Sequence, residues 1–82
     1  MKREDVVSPG EILSEEFLKP AGISERRLAL DLGVSATQVR EIITGSRAIS
    51  EETALRLGAF FGVEPEFWRN LQARFDRLTA AS

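Results

Sequence analysis

The chain has 82 residues and a formal net charge of −2, and it contains no cysteine and no histidine. Hydrophobic residues make up 43% and charged residues 29% of it, a balance typical of a globular domain rather than a disordered chain. The missing thiols and imidazoles exclude disulfides, thiolate zinc sites and histidine general bases, so we expect neither a metal nor another cofactor.

The N-terminal segment MKREDVV lacks the apolar core of a signal peptide, and no apolar run reaches the roughly 18 residues that a membrane span needs. We therefore expect no membrane association, and a cytoplasmic location if the source is a bacterium. The length predicts one domain over residues 1–82. A domain this small buries a modest core, so we expect it to form an oligomer.

The sequence predicts a first helix that ends at about Leu18. The stretch SPGE, from Ser8, supplies an N-cap serine, a proline at the first helical position and a glutamate three residues after the cap. Ile12, Leu13 and Phe17 are then expected to face inward. The stretch KPAG is expected to end the helix.

Two short helices with a three-residue turn between them follow, over residues 25–44. Ser24 caps the first, which ends at Gly33, where a positive φ is tolerated. Ser35 caps the second, which continues to about Thr44.

The apolar residues of these two helices are spaced to fill the wedge between them. Ala29 is the small residue that lets the two backbones approach, as a steep crossing of short helices requires. The wedge residues are Leu28, Leu32, Val34, Val39 and Ile42. Residues 25–44 therefore closely resemble the helix-turn-helix of phage-repressor-like regulators.

Two further helices complete the chain. Ser50 caps a fourth helix from Glu51 to about Phe61, and Pro65 opens a fifth that runs to about residue 78. We expect an all-α fold, in which five helices form a phage-repressor-like helix-turn-helix domain.

The fifth helix, residues 65–78, has more large apolar side chains than one face of a small core needs. Phe67 and Trp68 are expected to pack against the first and fourth helices. Phe60 and Phe61 are adjacent, so we expect one in the core and the other beside a dimer interface. The residues expected to meet a two-fold partner, and so to form a homodimer, are Leu71, Phe75 and Leu78.

Three segments extend the resemblance to the small HigA antitoxins, also grouped as VapI-type regulators, of type II toxin–antitoxin pairs. They are SPGEILSEEFLKPAGIS, AISEETALRLGAFFG and PEFWRNLQARFD, and the likeness covers about Ser8 to Asp76. The resemblance implies a homodimer that represses its own promoter. It also implies a small toxin partner, HigB-like, that is a ribosome-dependent mRNA endonuclease.

The exposed start of the third helix is expected to enter the major groove of double-stranded DNA. Arg40 is the leading base-reading residue, because a guanidinium can bond guanine O6 and N7 together. The full set of expected base-reading residues is Ala36, Thr37, Gln38, Arg40, Glu41 and Thr44. A solvated polar helix face is the alternative interpretation of these positions.

Phosphate contacts are expected from the start of the second helix and from both ends of the third. The expected residues are Ser24, Arg26, Arg27, Ser35, Ser46 and Arg47. In the alternative, one of the adjacent arginines pairs with Glu25 or Asp31 instead. Arg27 and Asp31 stand four apart on one helix face, the spacing of a helical ion pair.

The acidity of the chain lies outside this face. Residues 24–47 carry a net charge of +1, whereas residues 1–23 carry −2 and residues 48–82 carry −1. A weakly positive face suits a binder that depends on dimer geometry more than on bulk attraction, so we expect modest non-specific affinity. The operator is expected to be an inverted repeat.

Two other functions stay open on the sequence alone. One is a stand-alone transcriptional regulator without a toxin partner. The other is a protein-interaction module that has lost DNA binding, because family members often carry basic residues where this chain has Ala36, Gln38 and Ser46. An enzyme is not expected, since the adjacent glutamates at positions 15–16 and 51–52 splay apart on a helix and cannot form an acid–base pair.

Overall fold

The computed structural model describes residues 7–80, and this part of the chain folds into five helices without a strand. The helices are α1 (residues 9–21), α2 (Glu25–Leu32), α3 (Ala36–Thr44), α4 (Glu51–Phe61) and α5 (Pro65–Ala80). The expectation of an all-α, five-helix fold is confirmed for this range.

Each of the first four helices begins at a serine whose hydroxyl accepts the backbone N–H three residues later, at 3.0–3.2 Å. This contact satisfies one of the N–H groups that the first turn of a helix leaves without a partner. The four capping residues are Ser8, Ser24, Ser35 and Ser50. All four predicted helix starts are therefore confirmed.

Helix α1 continues past Leu18, where the sequence predicts its end, and stops at Gly22. Residues Leu13–Leu18 form a π-helical stretch, in which backbone hydrogen bonds reach five residues back instead of four. In an α-helix the ring of Pro20 would collide with the carbonyl group four residues before it, and the wider turn relieves that collision. The helix therefore runs past the predicted Leu18, because the π-helical turn lets it include Pro20, and it ends within the stretch KPAG as predicted.

The core lies where all five helices meet. Helices α2 and α3 pack on each other, α4 packs on α2 and α5, and α1 packs against α3 and α5. The buried apolar residues are Leu13, Leu18, Leu28, Ala29, Leu32, Val39, Ile42, Ile49, Ala54, Leu57 and Trp68. The helix-turn-helix is therefore held from behind by α1 and α4.

Trp68 anchors the start of α5 in this core. Its side chain is fully buried, and its ring lies 4.9 Å from that of Phe17 on α1 and 6.2 Å from that of Phe61 on α4. Phe67 also contacts Phe17, with ring centroids 5.9 Å apart, but keeps 39% of its surface exposed. The expected contact of Trp68 with α1 and α4 is confirmed.

Phe60 and Phe61 do not divide between the core and a separate surface, as the sequence suggests. Both are half-buried and pack against the core, with ring centroids 4.7 Å apart in an edge-to-face arrangement. Phe61 also lies 4.9 Å from the ring of Phe17. Within the protomer the two rings therefore pack on each other, and the expected contact of one of them with a dimer partner stays a prediction.

Helices α1 and α3 approach each other closely at Gly10. Ala29 is buried at the crossing of α2 and α3, as the sequence predicts. At Gly10, a Cβ atom would lie 1.8 Å from the carbonyl oxygen of Ile42 on α3. Only a glycine fits at this contact. It places the start of α1 directly against the end of α3.

Candidate nucleic-acid interface

The turn between α2 and α3 fixes the direction in which α3 leaves the core. Gly33 adopts φ 75°, and its backbone N–H and that of Val34 both donate to the carbonyl oxygen of Ala29, at 2.9 and 3.0 Å. Four wedge residues are buried and Val34 is half-buried; the buried four are Leu28, Leu32, Val39 and Ile42. The predicted helix-turn-helix is therefore present, with its wedge filled.

A residue of α4 also holds this motif. Arg56 donates from Nη1 to the carbonyl oxygen of Leu32 at 2.6 Å and from Nη2 to Glu52 at 2.5 Å. A cation at this point satisfies a carbonyl of the last turn of α2 and complements the negative end of its dipole. The sequence shows the Glu52–Arg56 spacing of four, but not the contact with Leu32, which lies 24 residues away.

The outer face of α3 carries the residues expected to read bases. Ala36, Thr37, Arg40 and Thr44 are exposed. Gln38 and Glu41 are half-buried. The Glu41 side chain keeps 38% exposure and pairs with an arginine beyond the helix end.

That arginine is Arg47, whose Nε donates to Oε1 of Glu41 at 2.7 Å. The hydroxyl groups of Thr44 and Ser46 donate to the backbone carbonyl of Glu41, at 3.1 and 3.3 Å. The residues that end α3 therefore form one hydrogen-bonded cluster around Glu41. This cluster fixes the position of Arg47 relative to α3.

Arg40 is held from α2. Its Nη1 donates to Oε2 of Glu25 at 2.8 Å, in an ion pair that spans 15 residues of sequence. The sequence interpretation paired Glu25 only with its neighbours, since no local spacing signals this contact. The ion pair joins the first residue of α2 to the middle of α3.

The start of α2 carries three of the residues expected to bind phosphate. The Ser24 hydroxyl accepts the backbone N–H of Arg27 at 3.0 Å, and the Arg27 side chain pairs with Asp31 at 2.9 Å. The alternative pairing of Arg27 with Asp31 is therefore present. Arg26 is exposed, and within residues 7–80 it makes no ion pair or side-chain hydrogen bond, so its charge faces solvent.

The three residues expected to meet a dimer partner become more exposed along α5. Leu71 packs against the core, Phe75 is half-buried, and Leu78 is 39% exposed. Phe75 lines a notch beside Pro9 and Ala48, at the end of α3. The three residues thus run from the core to the surface on one side of the helix.

A hydrogen bond links this helix to the loop after α3. The side-chain oxygen of Gln72 accepts the backbone N–H of Ile49 at 2.8 Å, and the Gln72 amide donates to Asp76 at 2.9 Å. The loop that follows α3 is therefore fixed to α5. The sequence does not signal this contact, which crosses 23 residues.

The adjacent carboxylates of α4 bind different arginines. Glu51 pairs with Arg69 of α5 at 2.8 Å, whereas Glu52 pairs with Arg56. The two carboxylates therefore point in different directions, as expected of neighbouring positions on a helix.

Within residues 7–80, no three Asp or Glu side chains come together in a group that could hold a metal ion. In the same range no helix has both the length and the apolar character needed to cross a membrane.

Comparison with known proteins finds relatives that match most of the chain. The helix-turn-helix family matches residues 15–68. Virulence-associated protein I of Dichelobacter nodosus is 46% identical over 70 residues, which cover 85% of this chain and 65% of the relative. The chain thus spans a little under two thirds of the length of that relative.

Solved structures resemble the fold closely. The Pseudomonas aeruginosa antitoxin HigA, solved with the higBA promoter, superposes with a TM-score of 0.89 at 44% identity, covering 92% of this chain and 82% of that one. The antitoxin GraA, solved in complex with its operator, gives a TM-score of 0.85 at 46% identity, covering 90% and 75% of the two chains.

Proposed function

Because the chain belongs to the helix-turn-helix family of HigA-type antitoxins, we propose that it is a sequence-specific DNA-binding repressor. In this proposal it serves as the antitoxin of a type II pair, represses its own operon and neutralises an mRNA-cleaving, HigB-like toxin. It acts in the cytoplasm and has no catalytic activity. The observation that carries the proposal is the exposed polar face of α3, which is held outward by the buried residues between α2 and α3. The chain is also 44% identical to an antitoxin solved with its promoter.

Helix α3 is the recognition helix in this proposal. Its N-terminal residues enter the major groove, where Ala36 and Thr37 meet base edges by apolar contact and hydrogen bonding. Arg40 supplies the main polar contact with a base. Gln38 and Thr44 lie at the rim of the same face, and Glu41 acts chiefly by holding Arg47.

Phosphate groups are bound on either side of α3. The exposed charge of Arg26 and the N-terminal amides of α2 meet the backbone on one side, and Arg47 meets it on the other. Arg27 contributes less, because Asp31 already pairs with it. The hydroxyls of Ser24 and Ser35 keep a proton to donate to a phosphate, since each only accepts a bond as a helix cap. The Ser46 hydroxyl donates to the carbonyl of Glu41, and it exchanges that bond for one to a phosphate when DNA binds.

The stripe of Leu71, Phe75 and Leu78 on α5 forms the homodimer contact. Its outer end is apolar and exposed, and covering it removes that surface from water. A two-fold dimer presents two copies of α3, so the operator is an inverted repeat.

The proposal is tested by footprinting on the DNA upstream of the gene, together with co-expression of the adjacent small reading frame. We expect protection of an inverted repeat, and rescue of growth when the neighbour is toxic by itself. Protection without rescue would indicate a stand-alone regulator. Rescue without protection would indicate an interaction module that has lost DNA binding. The absence of both protection and rescue would overturn the proposal as a whole.

A further inference from the structure

The ion pair between Glu25 and Arg40 has consequences for how DNA is read. Glu25 is the first residue of α2, and its side chain keeps 35% exposure against 64% for Arg40. We propose that Glu25 is a specificity-determining residue, which orients Arg40 for base reading and weakens binding to DNA without the matching base. This inference rests on the proposed function.

Orientation follows from the hydrogen-bonding capacity of arginine. A guanidinium has five N–H donors in a rigid planar fork. Glu25 engages Nη1, which leaves Nε and Nη2 of Arg40 available to a base edge. Because the side chain is already fixed before DNA arrives, less rotamer entropy is lost when the base contact forms.

Discrimination follows from the position of the carboxylate. Glu25 lies beside Ser24 and Arg26, at the end of α2 that faces phosphates in the proposed complex. Its negative charge opposes every phosphate there, whatever the sequence. It also occupies Arg40, which would otherwise bind phosphates of any DNA. Glu25 therefore lowers affinity for all sequences, and the oriented Arg40 restores affinity only at the operator.

Two substitutions of Glu25 separate the effect of its charge from the effect of its side-chain length. Glu25→Gln removes the negative charge but keeps the length of the side chain. Glu25→Asp keeps the charge but is one methylene shorter, so it cannot hold Arg40 in the same position. The matched control is Glu15→Gln on α1. It removes a carboxylate that lies 2.7 Å from the ammonium group of Lys19 and takes no part in the Glu25–Arg40 pair.

Affinities of full-length parent and variants are measured by fluorescence anisotropy on the footprinted operator and on a scrambled duplex of equal length. Glu25→Gln is expected to bind the scrambled duplex roughly fivefold more tightly, since each unpaired cation can neutralise a phosphate. Its preference for the operator is expected to fall by about tenfold, within the range that one bidentate base contact supplies. Glu25→Asp is expected to lose preference with a smaller general gain, because it releases Arg40 but keeps the carboxylate that opposes phosphates. Glu15→Gln is expected to keep the preference of the parent.

A double-mutant cycle shows whether Glu25 acts through Arg40. In an Arg40→Ala background, Glu25→Gln should leave the remaining preference unchanged, because no guanidinium is left to orient. A merely stabilising role would lower the melting temperature without altering the ratio of the two affinities.

Two results would overturn the inference while the proposed function stands. One is a preference like that of Glu15→Gln in both Glu25 variants. The other is an equal loss of preference from Glu25→Gln with and without Arg40. A parent protein that binds both duplexes equally would instead overturn DNA reading itself, and the inference would fall with it.

Discussion

Arg56 of α4 donates to the carbonyl oxygen of Leu32 at 2.6 Å, and so ties the end of α2 to the helix behind it. The same side chain pairs with Glu52, which keeps the guanidinium in place. The angle of the helix-turn-helix is thus stabilised by a polar contact as well as by its apolar wedge.

We predict that Arg56→Gln destabilises the fold by about 1–2 kcal/mol, because a hydrogen bond from a charged donor to a carbonyl of the last turn is lost. The measurement is urea unfolding followed by circular dichroism. The matched control is Arg69→Gln, since both arginines have 41% side-chain exposure and one glutamate partner. The control should lose about 0–1 kcal/mol. Equal losses would show that the Leu32 contact adds no stability.

Arg40 and Arg47 are expected to divide the work of DNA binding. Arg40→Ala should lower the preference for the operator by about 1–3 kcal/mol, the contribution of one bidentate base contact. Arg47→Ala should weaken binding to all sequences about equally and make the salt dependence shallower by about 0.9 in log–log slope. Titrations of operator and scrambled DNA at several salt concentrations measure both effects.

The same titrations can refute this division. An equal loss of preference in the two variants would mean that neither residue has a separate role. Because few cations face the DNA, the salt slope of the parent should itself be shallower than that of a strongly basic repressor.

Leu78→Glu is predicted to weaken the homodimer without unfolding the protomer. Leu78 is 39% exposed near the end of α5, so a charge there disfavours an apolar two-fold contact more than it disturbs the core. Sedimentation equilibrium measures the dimer dissociation constant, and circular dichroism checks the fold. Leu30→Glu, at a residue 73% exposed on α2, is the control that should leave the dimer intact.

Phe75→Glu should also weaken the dimer but cost more stability, because Phe75 is half-buried. A parent that stays monomeric at micromolar concentration would contradict the dimer.

Local chemistry explains why so much of the fold could be predicted from the sequence. A serine cap and its N–H partner lie three residues apart, so the starts of α1 to α4 can be located without knowledge of the tertiary structure. The buried face of α2 and α3 follows from helical spacing in the same way. The end of α1 was placed too early, at Leu18, because a π-helical turn there overrides the usual effect of proline, although the stretch KPAG does end the helix.

The contacts that shape the candidate interface were not predictable in this way. The partners of Arg40, Arg56 and Ile49 lie 15, 24 and 23 residues away. No periodicity specifies which charged groups meet across such distances, because that depends on how the helices pack. The sequence therefore predicts which residues face outward on α3, while the structure shows how they are held.

In the proposed dimer, two copies of α3 read an inverted repeat on one side of the duplex. The most direct test of this arrangement compares binding to the operator with binding to a duplex in which about 5 base pairs, half a helical turn, are inserted between the half-sites. Two recognition helices in a rigid dimer should match grooves about 34–36 Å apart. The half-turn insertion turns one half-site away from the dimer, so it should reduce affinity to that of a single half-site. An insertion of about 10 base pairs restores the face but lengthens the spacing by a full turn, so it should not restore full affinity. Equal affinity for the operator and the half-turn duplex would contradict the account.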